Sequence, residues 1–317
     1  MESRALGDLL ARADAAARAV QRLPPRAALA REMRRIWRAE IAASTALAGS
    51  ALSAAEIDAL LDLGRAQGNR AFADYVLVRA YADAARWVAD VRALPAGDPR
   101  PLIALEELRQ LNARCTTGTD VRGGAWRQAN RTPETGIIAP AAWAVVRESE
   151  LLADRFARGP QAEPVARWLA RFIGRFARLQ PFEGANGRTA RLGANLLLRR
   201  LDYPPLVLEQ RDRGRYPAAL AAAATNTPGP LAELIARAIL RTCNRLSTAS
   251  GELNEPVVPL REAAGTGYAA LAKAAQRGRL RTIVRGGRYF TTASWIAEYR
   301  GTRRSSGSAG EPAHPAS

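Results

Sequence analysis

The stretch that decides the reading runs from Gln180 to Arg191, Q-P-F-E-G-A-N-G-R-T-A-R. It is a polar, glycine-containing turn between two apolar segments. Before it, Val165, Trp168, Leu169, Phe172, Ile173, Phe176 and Leu179 recur at helical intervals, which predicts a helix over Pro164 to Leu179. After it, Thr189 to Leu201 again reads as helix. A glycine-rich turn entering a helix N-terminus aims free backbone N–H groups at one point, where the helix dipole also favours negative charge. Arg188 and Arg191, three apart, share a helix face and can reach the same anion. Phosphate, or the diphosphate of a nucleotide, is the natural guest. On the residues alone a second reading stands level with this one: a plain helical connection in which Asn186 and Gly187 satisfy turn geometry and the arginines are solvated.

Composition narrows the chemistry. With 317 residues and 48% apolar side chains, the chain can bury a sizeable core. A formal charge of +17 makes the surface attractive to anions, nucleic acid among them. Nearly all of that charge is arginine, Lys273 being the one lysine. Cys115 and Cys243 lie far apart and outside any C-x-x-C spacing, so neither a disulfide framework nor a zinc site is expected; both read as small buried apolar residues. No apolar run reaches the roughly 18 residues of a membrane span, and the protein is expected to be cytoplasmic with no membrane partner. The sole histidine, His314, falls in the Gly301–Ser317 segment, rich in Gly, Ser, Pro and Ala and expected to be a disordered tail. Ser-His-Asp and Cys-His mechanisms, which need a positioned imidazole, are thereby excluded.

The rest of the chain is mostly helix. Ala5 to Ala48 reads as helices interrupted near Pro24 and Pro25. Ser53 with Glu56, just before Ile57, Leu60 and Leu61, has the form of a capping box. Asn69 to Leu94 predicts one long amphipathic helix and Pro101 to Leu111 a short one. Thr116 to Pro140, punctuated by glycine and proline, is a loop or small hairpin. Ala141–Arg158, Tyr216–Ala224 and Pro230–Leu246 return to helix, and Ser247 to Pro256 is the linker candidate.

The Gln180–Arg191 segment resembles the signature loop of the Fic/Doc family, H-P-F-x-[D/E]-[G/A]-N-[G/K]-R-T-x-R. Pro181, Phe182, Ala185, Asn186, Gly187, Arg188, Thr189 and Arg191 match it in register. Ser44 to Leu61 is similar to the family's inhibitory segment, S-x-x-x-E-G followed by a leucine-rich helix. Gly124, Trp126 and Arg127 fall where the family's substrate-docking flap carries G-x-[aromatic]-R. The resemblance, from about Ser44 to Leu246, implies a mainly α, Fic-like helical core with a small β-hairpin flap. It implies ATP or another nucleotide as ligand, a protein target at the flap, and a phosphate site made of Phe182, Gly184, Ala185, Asn186, Gly187, Arg188 and Arg191.

Three positions depart from the family pattern. Gln180 replaces the catalytic histidine; an amide can orient a hydroxyl but cannot take its proton at neutral pH. Gly184 replaces the acidic residue that holds magnesium in the family, so no metal ligand is expected there. Glu183, one residue earlier, is the alternative acid or base. Ala48 replaces the inhibitory glutamate that the family pairs with the loop's second arginine, here Arg191.

The segment Val257 to Tyr299 reads as a separate basic unit. Leu260–Ala264 and Tyr268–Gln276 predict helices around a Gly265–Gly267 turn, Leu280–Val284 and Arg288–Thr292 predict strands around Gly286-Gly287, and Trp295–Tyr299 predicts a closing helix. It resembles the winged helix-turn-helix of excisionase-like domains, which implies DNA contacts by Lys273, Arg277, Arg279, Arg281, Arg285 and Arg288. The expected organisation is a helical region with a degenerate inhibitory segment over 1–100, the Fic-like core over 101–247, the winged helix-turn-helix over 256–300 and the tail over 301–317. The expected function is a catalytically degenerate, nucleotide-binding and DNA-binding regulator. The alternative is a Fic-type nucleotidyl or phosphoryl transferase that modifies protein hydroxyls by positioning.

Overall fold

A computed structural model describes residues 3–131, 137–251, 257–297 and 299–300. Helices α1 (Arg4–Gln21) and α2 (Ala27–Leu47) are separated at Pro24 and Pro25, whose rings cannot continue a helix. α3 (Ala54–Leu63) opens on the expected capping box, in which Ser53 N donates to the Glu56 carboxylate at 2.7 Å. α4 (Phe72–Ala89) is shorter than the predicted Asn69–Leu94. Gly68 turns with φ 84° just before it, and the chain leaves the helix at Asp90. α5 (Leu105–Cys115) starts four residues later than Pro101, because the Glu107 carboxylate accepts from Ala104 N at 2.9 Å and fixes the N-terminus there. The body is completed by α6 (Val145–Phe156), α7 (Val165–Leu179), α8 (Asn186–Arg200), α9 (Tyr216–Ala224) and α10 (Gly229–Ala249).

α8 is the central helix. Every residue from Thr189 to Leu198 is buried, and α2, α4, α5 and α7 surround it. That explains its run Leu196-Leu197-Leu198, apolar on all sides. The α7 stripe packs as predicted: Phe172 meets Phe156 of α6 edge-on at 5.3 Å, and Phe176 meets Phe182 of the signature loop at 6.2 Å. Full burial of such rings contributes on the order of 2–3 kcal/mol each. The same packing fixes where α7 ends and the loop begins.

The Thr116–Pro140 segment, expected as a loop or small hairpin, is a loop over its described residues. Among the described residues its only pairing is one isolated antiparallel bridge, Trp126 to Phe182, so the flap is attached to the signature loop and not to a strand of its own. Residues 132–136 lie outside the described residues, as do 252–256 of the linker candidate and the 301–317 tail. α10 runs on to Ala249, into the stretch expected as linker.

The C-terminal unit contains β1 (Val258–Pro259), α11 (Leu260–Ala264), a 3-10 turn at Gly265–Gly267, α12 (Tyr268–Gln276), β2 (Ile283–Arg285) and β3 (Arg288–Thr291). Its sheet is antiparallel in the order β1-β3-β2, with Ile283 opposite Phe290 and Val258 opposite Thr291. β1 carries no readable signal at two residues; Pro259, without an N–H, is tolerated because the strand is at the sheet edge. Leu260, Leu271, Ala274, Leu280 and Ile296 form a small core separate from that of the body. Among the described residues no helix is long and apolar enough to cross a membrane.

Candidate functional site

The signature loop is built by its own side chains. Gln180 caps α7 in the left-handed conformation, φ 43°, and its N–H donates to Phe176 O at 2.9 Å. Phe182 is fully buried and stacked on Trp126, ring centroids 5.1 Å apart and 9° from parallel. The Asn186 amide then closes the loop: its Oδ1 accepts from Phe182 N at 3.0 Å and its Nδ2 donates to Phe182 O at 2.9 Å. Ala185, φ 57°, is the N-cap of α8, and Thr189 N is the first to bond back, to Ala185 O at 2.9 Å. The N–H groups of Asn186, Gly187 and Arg188 therefore precede the helical ladder, the arrangement that suits an anion. Phe182 and Asn186, expected among the ligand contacts, also hold the loop in shape.

Two flap arginines clamp it. Arg127 is buried and donates from Nε to Gln180 O at 2.9 Å, from Nη1 to Ala129 O at 2.9 Å and from Nη2 to Pro140 O at 2.6 Å. Burial pushes its pKa down, and four backbone carbonyls compensate the charge. Arg131 Nη2 donates to the carbonyls of Phe182 at 2.9 Å and Glu183 at 2.6 Å. The Glu183 side chain is exposed.

Asn112 is the residue that joins these parts. It is fully buried on α5; Nδ2 donates to Gly184 O at 2.9 Å and to Thr189 Oγ1 at 3.1 Å, and Oδ1 accepts from Gly124 N at 3.0 Å. One amide thus ties flap, loop and α8 together. The sequence did carry a signal: Leu108, Leu111, Asn112 and Cys115 share the buried face of α5, and an asparagine on such a face must find partners.

The two loop arginines are held differently. Arg188 is partly buried and donates from Nη1 to Cys115 O at 2.7 Å, with its pKa pushed down first by burial and then by Arg191. Arg191 is buried; Nε donates to Ser44 Oγ at 2.5 Å and Nη2 to Ser44 O at 2.9 Å. One turn earlier on α2, Glu40 accepts from the Tyr81 hydroxyl at 2.6 Å. Burial lifts the Glu40 carboxyl to about 7, against the Tyr81 hydrogen bond and the Arg191 charge, which both pull it down. Burial and the Glu40 charge raise the Tyr81 phenol. Ala48 is the C-cap of α2, just beyond Ser44. Both cysteines are buried, as expected, and burial pushes each thiol up to about 12.

With this geometry in hand, comparison with known proteins is decisive for the middle of the chain, where the Fic/DOC family model matches residues 102–198. Residues 102–198 are a Fic/DOC family domain. A protein adenylyltransferase Fic from Culex quinquefasciatus is 31% identical over 162 residues, 49% of this chain and 31% of that protein. One from Aedes aegypti is 37% identical over 79 residues, 25% of this chain and 16% of that protein. The chain thus spans a third or less of the length of these relatives. Among solved structures, Fic-1 from C. elegans, residues 134–508, superposes with a TM-score of 0.67 at 22% identity, covering 76% of this chain and 71% of that one. A Fic domain containing signaling protein from Bacteroides thetaiotaomicron superposes with a TM-score of 0.65 at 21% identity, covering 77% and 97%. The helical body has the Fic fold.

At Gly184, the position compared with the family's acidic magnesium ligand, the chain carries no carboxylate. Gly184 stands where the family pattern has an acidic side chain, and a Cβ built there would lie 3.0 Å from Val121 Cγ2. A side chain there needs Val121 to give by a few tenths of an ångström. Among the described residues no cluster of three His, Cys, Asp or Glu could hold a metal ion.

On the C-terminal unit, Lys273, Arg277, Arg279 and Arg288 lie at the surface, Lys273 on α12 and Arg277 at its C-cap. Arg281, expected among the DNA contacts, is held by neighbours on both sides of the unit's junction with the body. Its Nε donates to Asn244 Oδ1 of α10 at 2.9 Å and its guanidinium lies 4.4 Å from the centre of the buried Trp295 ring. It joins the unit to the body. The side chain of Arg285 lies outside the described residues.

Proposed function

We propose that the Fic domain binds a nucleotide or another phosphate-bearing ligand at the N-terminus of α8 without the family's usual transfer chemistry, and that the C-terminal unit binds DNA, so that the protein acts as a regulator. The observation that carries the first half is Gln180 at the head of a loop that keeps Asn186, Gly187, Arg188 and Arg191 at the start of α8. Arg188 and the leading N–H groups of α8 bind the anion, and the flap clamp keeps the loop in register. Gln180 orients a hydroxyl but takes no proton. For the second half, the support is the order strand, helix, turn, helix, hairpin together with Lys273, Arg277, Arg279 and Arg288 on the surface.

A second reading is favoured by the names of the relatives, which are protein adenylyltransferases, and by the exposed Glu183 carboxylate on the loop. A target hydroxyl would attack the α-phosphorus of ATP, pyrophosphate would leave, and Glu183 would take the hydroxyl proton. The experiment that separates the two incubates the full chain with labelled ATP and candidate protein acceptors. No incorporation is expected; incorporation that is abolished by both Arg188→Ala and Glu183→Gln would establish the transferase.

A further inference from the structure

A cleft of about 990 Å³ separates the helical body from the C-terminal unit. One wall comes from α1, α2 and α10, the other from α12 and β2. Seven of its lining residues are arginines and two are glutamates. Three arginines are anchored on carboxylates: Arg245 on Glu32 at 2.7 Å, Arg237 on Glu233 at 2.7 Å, and Arg241 on Asp212. Among the described residues, the lining's seven arginines stand beside four carboxylates, Glu32, Glu209, Asp212 and Glu233.

The cations differ in how tightly they are held. Arg35 lies 3.6 Å from Glu32 with its side chain 75% exposed, and Arg211 lies 2.8 Å from Glu209 at 37% exposed. Exposed pairs of this kind contribute about 0–1 kcal/mol, so a phosphate can take over either arginine at little cost. Deeper in, Arg241 Nε is buried and has no hydrogen-bond partner among the described residues; the Glu209 carboxylate stands 3.6 Å away. A buried guanidinium N–H in that state is destabilising, and an anionic oxygen in the cleft is the group that would satisfy it.

The two walls are also physically joined. Arg281 Nε donates to Asn244, Asn244 Nδ2 donates to Thr282 O at 3.4 Å, and Arg237 Nη1 donates to Gln276 O at 3.4 Å. Gly278, φ 64°, lets the chain turn against Arg237, whose Nη1 would sit 3.0 Å from a Cβ there. The cleft is therefore lined by both units. The volume is at the upper end of small-ligand sites, about 300–1,000 Å³, which suits a nucleotide-sized anion and not a nucleic-acid duplex.

We propose that this cleft is a second anion site, independent of the signature loop, that binds a small ligand carrying several phosphate groups and bridges the helical body to the C-terminal unit. The test is calorimetric titration of the full chain with inorganic tripolyphosphate, in parallel on Arg35→Glu/Arg211→Glu and on Arg188→Ala. The rim double variant replaces exposed side chains and is expected to keep its melting temperature. Saturable binding that weakens at least tenfold in the rim variant and persists in Arg188→Ala supports the site. Binding unchanged by the rim variant, binding lost only in Arg188→Ala, or no binding at millimolar tripolyphosphate would each overturn it. So would binding of duplex DNA alone that the rim variant abolishes, which would make the cleft part of a nucleic-acid surface.

Discussion

Arg191 of the signature loop donates two hydrogen bonds to Ser44 of α2, one to its hydroxyl at 2.5 Å and one to its carbonyl at 2.9 Å. α2 thus engages the loop's second arginine through Ser44, a turn before its C-cap Ala48. A guanidinium engaged in this way is less available to an anion at the α8 N-terminus. Ser44→Ala removes the hydroxyl acceptor and leaves the carbonyl. It is expected to destabilise the protein by roughly 1–3 kcal/mol, the range for hydrogen bonds to a charged group. If Arg191 is released toward the loop, ATP affinity measured by calorimetry rises, by up to about tenfold for each 1.4 kcal/mol recovered.

Glu40 makes stability depend on pH. Its carboxyl sits at about 7 in the folded state against an ordinary value of 4.5, because burial disfavours the charged form. The folded protein therefore holds a proton that the unfolded chain releases. Stability contributed by the neutral carboxyl is fully present below about pH 4.5 and is lost as pH rises toward 7, on the order of 3 kcal/mol in all. Urea denaturation from pH 5 to 8 is expected to show this decline, and Glu40→Gln is expected to flatten it. An unchanged slope in the variant would assign the dependence to other groups.

Asn112→Leu leaves Gly184 O, Thr189 Oγ1 and Gly124 N without the partner they share. The expected loss is about 2–4 kcal/mol, since each orphaned buried group costs about 1–3 kcal/mol and partial relaxation offsets some of it. Because the amide also sets the loop, phosphate or ATP binding should weaken more than in a variant of equal instability made elsewhere, such as Leu271→Ala in the C-terminal core. Equal weakening in both would show that Asn112 acts through stability alone.

How much of this was legible in the sequence depended on whether the signal was local. α9, α11 and α12 begin and end where their patterns predict, and the Ser53–Glu56 capping box forms, because periodicity and caps are read within a few residues. The loop, too, was legible as a pattern. What Phe182 and Arg191 do was not, because their partners are decided by tertiary packing: Trp126 lies 56 positions from Phe182 and Ser44 lies 147 from Arg191. The same holds for Arg281, whose basic neighbours in sequence suggested a surface role while Asn244 and Trp295 draw it inward. A two-residue edge strand such as Val258–Pro259 has too few positions to show alternation at all.

On the C-terminal unit, charge reversal separates surface cations from the buried bridge. Lys273→Glu/Arg277→Glu is expected to weaken binding of duplex DNA roughly uniformly across sequences and to reduce the salt dependence by about one for each phosphate that is no longer neutralised. Arg281→Ala is expected to lower the melting temperature of the unit with a smaller effect on DNA. A larger effect of Arg281→Ala on DNA affinity, at unchanged stability, would return that residue to the interface.

The most direct measurement is calorimetric titration of the full chain with ATP, with and without magnesium, beside Arg188→Ala. Binding that needs Arg188, is indifferent to magnesium and yields no product is expected from a loop that keeps its arginines but has Gln180 and Gly184 at its two chemical positions. Magnesium-dependent binding with turnover of ATP would contradict that reading and make the domain a working transferase.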